Sequence, residues 1–165
     1  MQAQQKAARL KLMGFDVDGV LTDGRLWFGP EGELFKSFDS QDGHGIKLLQ
    51  QAGVRVVIIT GRVSKAVEHR AANLGITLLA QGIEDKVEAM TGFARELGVS
   101  LDECGYMGDD TVDLPVLNTC GFSATVATCH PAVRNQVDLV ADRPGGRGAV
   151  REVCDFILHA KQTHS

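Results

Sequence analysis

Residues 54–59 read Val-Arg-Val-Val-Ile-Ile, and this run limits the fold more than any other stretch of the chain. It is almost continuously apolar and β-branched. Such a run suits a parallel strand covered on both faces rather than a strand with one wet face. Parallel neighbours need crossover connections, and the chain supplies them. Thr60-Gly61-Arg62 ends the strand, Ser64 stands at an N-cap position, and Val67, Ala71 and Leu74 follow at helical spacing before Gly75. Ile76–Leu79 reads as the next strand. Lys86–Leu97 reads as a helix with Val87, Met90, Ala94 and Leu97 on its apolar face. Cys104–Met107, Phe122–Ala124 and Leu139–Val140 read as further strands, and a last helix begins near Gly148. Asp113 stands before a helix that carries Pro115 early, where a missing N–H costs little. Upstream, Leu12–Phe15 makes a first strand, and a short helix covers about 44–52 with Gly53 as its stop. The pattern is α/β: a Rossmann-like parallel sheet flanked by helices.

One interruption breaks the alternation. Residues 25–28 and 34–38 flank Gly29-Pro30-Glu31-Gly32, which reads as a β-hairpin inserted after the first strand. Fewer than 30 residues separate the first aspartates from Asp42-Gly43, too few for a large cap domain. The 165 residues make one domain, 1–165, with the hairpin at 25–38 and a C-terminal loop and helix at 144–165.

Lys plus Arg is 17 and Asp plus Glu is 21, a net charge of −4, which gives no general attraction for nucleic acid or anionic lipid. One Trp and one Tyr leave little for base stacking. No apolar run approaches the length of a membrane span, and the first residues carry no export signal. Cys104, Cys120, Cys129 and Cys154 form no C-x-x-C pair and read as free thiols in a reducing compartment, so the expected location is the cytoplasm. Gly43-His44-Gly45 is followed by Leu48 where a dinucleotide fingerprint needs Gly, and no P-loop occurs.

In open parallel sheets, ligands sit at the carboxyl ends of the strands. Polar residues recur at those ends: Asp16 and Asp18 after the first strand, Thr60 after the β-branched run, and Asp109, Asp110 and Asp113 after Cys104–Met107. Carboxylates converging on one rim repel one another unless a cation or protons intervene, and hard oxygen donors suit Mg²⁺. No His/Cys set has zinc spacing. Lys86, opening a helix, would neutralise both a carboxylate and a phosphoryl oxygen. Thr60 and the turn at Gly61 offer donors to the same oxygens. The chemistry this composition suits is in-line phosphoryl transfer, with Asp16 attacking phosphorus and Asp18 exchanging protons with the leaving oxygen and then with water.

The ordered set resembles the haloacid-dehalogenase-like phosphohydrolases. Asp16-Val17-Asp18-Gly19-Val20-Leu21-Thr22-Asp23 is similar to their first motif, and Val57-Ile58-Ile59-Thr60 to their second. Lys86 matches the third, and Gly108-Asp109-Asp110-Thr111-Val112-Asp113 the fourth. The resemblance implies Asp16 as nucleophile and Asp18 as acid/base. It implies Mg²⁺ held by Asp16, Asp109 and the Asp18 backbone carbonyl, with Asp110 and Asp113 supporting the metal loop. Within the family it narrows to capless phosphatases of eight-carbon and nine-carbon sugar acids, the eight-carbon type serving lipopolysaccharide biosynthesis. It rests there on Asp42-Gly43-His44-Gly45 and Pro144-Gly145-Gly146-Arg147-Gly148. Such enzymes are tetramers in which neighbouring subunits help to cover each site. That implies a small phosphorylated sugar acid as substrate, with Arg62, Gln41 and Arg147 beside Gly61 as its contacts. Gln41 stands where the family usually has Arg. A phospho-aspartate switch domain would share the aspartates, Thr and Lys; the acid at nucleophile plus two, Asp18, separates hydrolysis from that reading.

Overall fold

The β-branched run becomes the second strand in a six-stranded, all-parallel sheet. This computed structural model describes residues 1–164. In chain order come α1 (Ala3–Ala8), β1 (Leu12–Phe15), an irregular turn over Val17–Leu21, then β2 (Trp27–Gly29) and β3 (Gly32–Phe35). They lead to α2 (Ser40–Gln51), β4 (Arg55–Ile59), α3 (Lys65–Leu74), β5 (Leu78–Ala80), α4 (Lys86–Leu97) and β6 (Cys104–Met107). The chain closes with α5 (Leu114–Thr119), β7 (Phe122–Thr125), α6 (Pro131–Arg134), β8 (Leu139–Val140) and α7 (Ala149–Thr163).

The sheet order is β5-β4-β1-β6-β7-β8, and β2 pairs with β3 as a separate antiparallel hairpin. The chain runs outward from β1 through β4 to β5, then returns to β6 and builds the other half. The direction therefore reverses between β1 and β6, and a crevice opens beyond their carboxyl ends. All four residues of β1 and all four of β6 are buried, as expected for central strands. β1 can lie beside Tyr106 only because Gly14 has no side chain. A Cβ there would meet Met90 at 2.6 Å and the Tyr106 ring at 2.8 Å. Tyr106 is fully buried, and its hydroxyl donates to the Ile59 carbonyl at 2.8 Å, tying β6 to the end of β4.

Helix α2 starts at Ser40, four residues before the expected 44. Asp39 caps it, its carboxylate accepting from the Gln41 and Asp42 N–H groups at 2.8 and 3.0 Å. Gly43 and Gly45 are packing positions inside the helix. A Cβ on Gly45 would press on Arg151 and Cys154 at 3.0–3.2 Å, and one on Gly43 would meet Arg70 at 2.3 Å. Asp42 lies between them and accepts from the Arg151 N–H at 2.9 Å, capping α7, whose own N-cap residue is Gly148. Its second oxygen, Oδ2, is buried without a partner.

Helix α1 lay outside the expectation. Its Gln- and Ala-rich sequence has no apolar period, but it packs against α7, and Lys6 pairs with Asp138 at 2.6 Å. Ser64 does precede α3, yet its hydroxyl makes no cap bond and donates to Glu33 at 2.5 Å. Asp113 precedes α5, yet its carboxylate makes no cap bond either. The hairpin strands are shorter than expected, at Trp27–Gly29 and Gly32–Phe35. All four cysteines are free; burial raises Cys104 to about 11 and Cys120 to about 12, which keeps them as unreactive thiols. Among the described residues no helix is long and apolar enough to cross a membrane.

Candidate active site

Asp16 follows β1 directly, and its N–H donates to the Met107 carbonyl at 3.0 Å, which carries the β1–β6 register one residue past the strands. Gly19 makes the turn after it possible. Its φ of +88° favours glycine, and a Cβ there would stand 1.9 Å from Asp109 Oδ2. The turn and the Asp109 loop therefore touch backbone to side chain. The Gly145-Gly146 loop braces the turn from outside: Gly146 N–H donates to the Val20 carbonyl at 3.0 Å, and a Cβ on Gly145 would fall 1.9 Å from the Gly19 carbonyl oxygen.

Asp16, Asp109 and Asp113 bring carboxylate oxygens within 4.8 Å of one another. Asp113 is fully buried, and both its oxygens are occupied: Oδ1 takes Lys86 Nζ at 2.7 Å, and Oδ2 takes the Asp109 and Asp110 N–H groups at 2.9 and 3.2 Å. That leaves Asp113 to shape the loop while Asp16 and Asp109 keep oxygens to offer. Asp16 Oδ1 accepts from the Val17 N–H at 2.8 Å and lies 3.2 Å from Lys86 Nζ.

The charges do not balance. Three carboxylates face one ammonium, an excess of two negative charges. Burial, opposed by Lys86 and reinforced by Asp113, raises Asp16 to about 7. Burial and then the charges of Asp16, Asp113 and Asp110 raise Asp109 to about 7. Lys86 loses from burial too, but two carboxylates share it and hold its pKa above the usual lysine value. It also lies 5.6 Å from the Tyr106 ring centroid. An oxygen-only donor set with two excess charges fits a hard divalent cation.

A cavity of about 480 Å³ joins Asp16, Asp18, Thr60, Gly61, Arg62, Lys86 and Asp109, with Gly24, Ile83, Glu84, Asp110 and Val112 completing its wall. Of the nine residues expected in catalysis, metal binding or substrate contact, seven therefore share one hollow. A wider hollow beside it, lined from Ala80 to Glu96, shares only Ile83 and Glu84 with it and holds none of the motif residues. Gln41 lies elsewhere, in a depression with Arg143, Arg151, Glu152 and Asp155. The reason is local: Gln41 opens α2, whose face packs on α7. Arg147 is exposed and lines no part of the cavity.

The hairpin contributes groups that no sequence motif marks. Lys36, just after β3, has a buried side chain whose Nζ lies 2.8 Å from Asp18 Oδ1 and 2.8 Å from Glu33 Oε1. Arg62 Nε lies 3.7 Å from Asp18 Oδ2, and its guanidinium sits 5.3 Å from the Phe28 ring centroid. The one local hint is the three-residue spacing of Glu33 and Lys36.

Residues 76–151 match the model of the haloacid dehalogenase-like hydrolase family. The chain is 44% identical over 156 residues to the 3-deoxy-D-manno-octulosonate 8-phosphate phosphatase KdsC of Escherichia coli, covering 94% of this chain and 83% of that protein. It belongs to the haloacid dehalogenase-like hydrolase family. Solved members of that family superpose over almost the whole chain. The 3-deoxy-D-manno-octulosonate 8-phosphate phosphatase of Yersinia pestis gives a TM-score of 0.94 at 44% identity, covering 97% of this chain and 86% of that one. The Moraxella catarrhalis phosphatase of the same name was solved with magnesium, phosphate and KDO. It gives 0.94 at 42% identity, covering 98% and 92%. Among the described residues the six-stranded sheet carries one small antiparallel hairpin and no large cap.

Proposed function

We propose that this hydrolase is a Mg²⁺-dependent phosphomonoesterase that splits 3-deoxy-D-manno-octulosonate 8-phosphate into the free sugar acid and inorganic phosphate. The observation that carries the reading is the cavity at the sheet's switch point, where Asp16 stands between Lys86 and Asp109 with Asp18 and Thr60 on the same wall. Likeness over nearly the whole chain, at 42–44% identity, to phosphatases named for that substrate supports the choice of sugar.

Asp16 attacks phosphorus as the bond to the sugar oxygen breaks, giving an aspartyl-phosphate. Asp18 gives its proton to the departing oxygen, then takes one from the water that attacks the phosphoryl group and restores the Asp16 carboxylate. Thr60 and the Gly61 N–H donate to phosphoryl oxygens, and Lys86 holds the nucleophile in place. Mg²⁺, held by Asp16, Asp109 and the Asp18 carbonyl, supplies positive charge against the dianionic phosphoryl group. Arg62, on the same wall, is the proposed contact for the sugar acid.

The proposal extends to assembly. The functional unit is a single domain, 1–165, whose hairpin (25–38) leaves Leu26, Trp27, Phe28, Leu34 and Phe35 about half exposed. So large an apolar surface on a small ribbon supports a homotetramer built on the hairpins. Gln41 and Arg147, outside their own cavity, are then the residues placed to meet a neighbouring subunit. The enzyme works in the cytoplasm, where its four thiols stay reduced.

The test is phosphate release from a panel of eight-carbon and nine-carbon phosphosugar acids with and without Mg²⁺. Release that needs Mg²⁺, prefers the eight-carbon ester at least tenfold by kcat/KM and disappears in Asp16→Asn supports the reading. Full turnover by Asp16→Asn overturns the mechanism, and a nine-carbon preference overturns the substrate. Light scattering of wild type against Leu34→Asp reads the assembly; an active wild-type monomer rejects shared sites.

A further inference from the structure

The hairpin does more than present an apolar face. At the end of β3 the chain sends one long cation inward: the Lys36 side chain is only 3% exposed, on a ribbon whose neighbours Leu34 and Phe35 are open to solvent. A buried ammonium needs partners, and this one has two carboxylates, Asp18 Oδ1 and Glu33 Oε1, each at 2.8 Å. Burial works against its charge, but the bonds to Asp18 and Glu33 outweigh that and raise its pKa.

Glu33 is itself tied down. Its other oxygen, Oε2, accepts from Ser64 Oγ at 2.5 Å, and the Ser64 N–H donates to Gln81 Oε1 at 2.8 Å. Ser64 stands at the N-cap of α3, where its hydroxyl would ordinarily accept from that helix's first turn; it is turned to Glu33 instead. The chain of contacts therefore runs from the start of α3, through Ser64, Glu33 and Lys36, to Asp18. A plain staple for the hairpin would need only Glu33 and Lys36, three residues apart in the chain. The link to Asp18, eighteen residues away and on the cavity wall, is what the staple does not explain.

We propose that Lys36 is a positioning residue for Asp18: anchored by Glu33, its ammonium holds Oδ1 and so leaves Oδ2 as the oxygen directed at the sugar ester. This rests on the reading of Asp18 as the acid/base. Among the described residues Oδ2 meets only the more distant Arg62 Nε, at 3.7 Å. Losing Lys36 frees the Asp18 carboxylate to rotate, which slows both proton transfers, to the sugar oxygen and later from water, and leaves substrate binding in place.

Leaving-group dependence reads this out. A sugar alkoxide needs a proton to depart; p-nitrophenolate does not. In single-turnover mixing, which reads the first step alone, Lys36→Met is expected to release the free sugar acid roughly 100-fold more slowly than wild type, in line with losing an oriented general acid, with KM changed less than about threefold. Release of p-nitrophenolate from p-nitrophenyl phosphate in the same experiment should stay within about threefold of wild type. Lys36→Arg should recover most of the loss, and Glu33→Gln should show the same split more weakly. Asp18→Asn is the reference. If it shows the split while Lys36→Met loses both substrates equally, or neither, Lys36 does not position the acid and the proposal fails alone. If Asp18→Asn shows no split, the acid/base reading falls and takes this proposal with it. Unfolding midpoints of each variant separate a collapsed hairpin from a misdirected carboxylate. A Lys36→Met protein that unfolds early and loses both activities counts as refutation if Glu33→Gln, folded, shows no split.

Discussion

Asp42 should make this protein less stable as the pH rises through mild acid. Its carboxyl is 1% exposed; Oδ1 caps α7 through the Arg151 N–H at 2.9 Å, and Oδ2 has no partner. Burial is the largest influence, opposed by the Arg151 N–H and reinforced by Asp39; together they raise the pKa from 3.8 to about 6. That displacement corresponds to about 3 kcal/mol of preference for the protonated form in the folded state. The sign follows from proton counting. Between pH 3.8 and about 6 the folded chain binds more protons here than the unfolded chain, so the free energy of unfolding falls across that window and levels off above it. Asp42→Asn keeps an oxygen for the α7 cap and removes the charge, but leaves an N–H₂ where Oδ2 was orphaned, a penalty of about 1–3 kcal/mol. Relative to wild type, the variant should be less stable or equal at pH 4. Its relative stability should climb by up to ~3 kcal/mol by pH 7. Urea unfolding of both proteins at half-unit steps, with the difference plotted against pH, cancels the other titrating groups. A flat difference, or one that falls with rising pH, would refute the buried-carboxyl reading of Asp42.

Three further outcomes follow from the site. Gly19→Ala forces a Cβ to within 1.9 Å of Asp109 Oδ2 at a φ of +88°, so the Mg²⁺ concentration for half-maximal activity should rise at least about tenfold, while stability falls by about 1–2 kcal/mol. An unchanged Mg²⁺ requirement would separate Asp109 from the metal. Lys86→Met leaves Asp113 and Asp16 facing each other without their ammonium and should cost about 3–5 kcal/mol in urea unfolding without metal, as broken buried pairs do. A loss below about 1 kcal/mol would mean the pair is not electrostatically coupled. Adding Mg²⁺ at 100 times its dissociation constant to chelator-treated protein should stabilise it by about 2.7 kcal/mol, and Asp109→Ala should abolish that gain. A thermal midpoint indifferent to Mg²⁺ in wild type would sink the metal site.

The middle of the sheet was readable because its central strands are buried on both faces, and burial leaves an apolar run in the sequence itself. Arg55–Ile59 and Cys104–Met107 fall where that signal puts them, while Leu139–Val140 is a short, partly buried edge strand. The residues that end the strands were readable for a related reason: topology sends every parallel strand's carboxyl end to one rim, so Asp16, Thr60 and Asp109 meet without local contact. What stayed hidden depends on pairs from distant segments. The start of α2 lies four residues earlier than expected, where Asp39 caps it and Gly43 lets Arg70 lie against the helix. The capping role of Asp42 serves a helix more than a hundred residues on. Ser64 carries the right residue type at the right position, but its hydroxyl answers Glu33 across the hairpin. Gln41 and Arg147 carried no geometric signal at all, and one chain places both away from the cavity.

The charged groups of the cavity divide into two sets with one plan. Lys86 lies between Asp16 and Asp113, and Lys36 between Asp18 and Glu33. In each pair one carboxylate belongs to the proposed chemistry and the other does not. Asp113 is fixed by the backbone N–H groups of Asp109 and Asp110, Glu33 by the Ser64 hydroxyl. A buried lysine held only by a reacting carboxylate would lose its counter-charge whenever that carboxylate became an ester or took a proton, and burial would then expel or deprotonate it. A second, unreacting carboxylate keeps each ammonium charged and in place through the cycle. The division also keeps the proposed nucleophile and the proposed acid/base on separate counter-ions, so a change of charge on one is buffered before it reaches the other. On this account Asp113→Asn and Glu33→Gln should each weaken a lysine rather than a carboxylate. Their effects should add in the double variant, since the two sets share no partner.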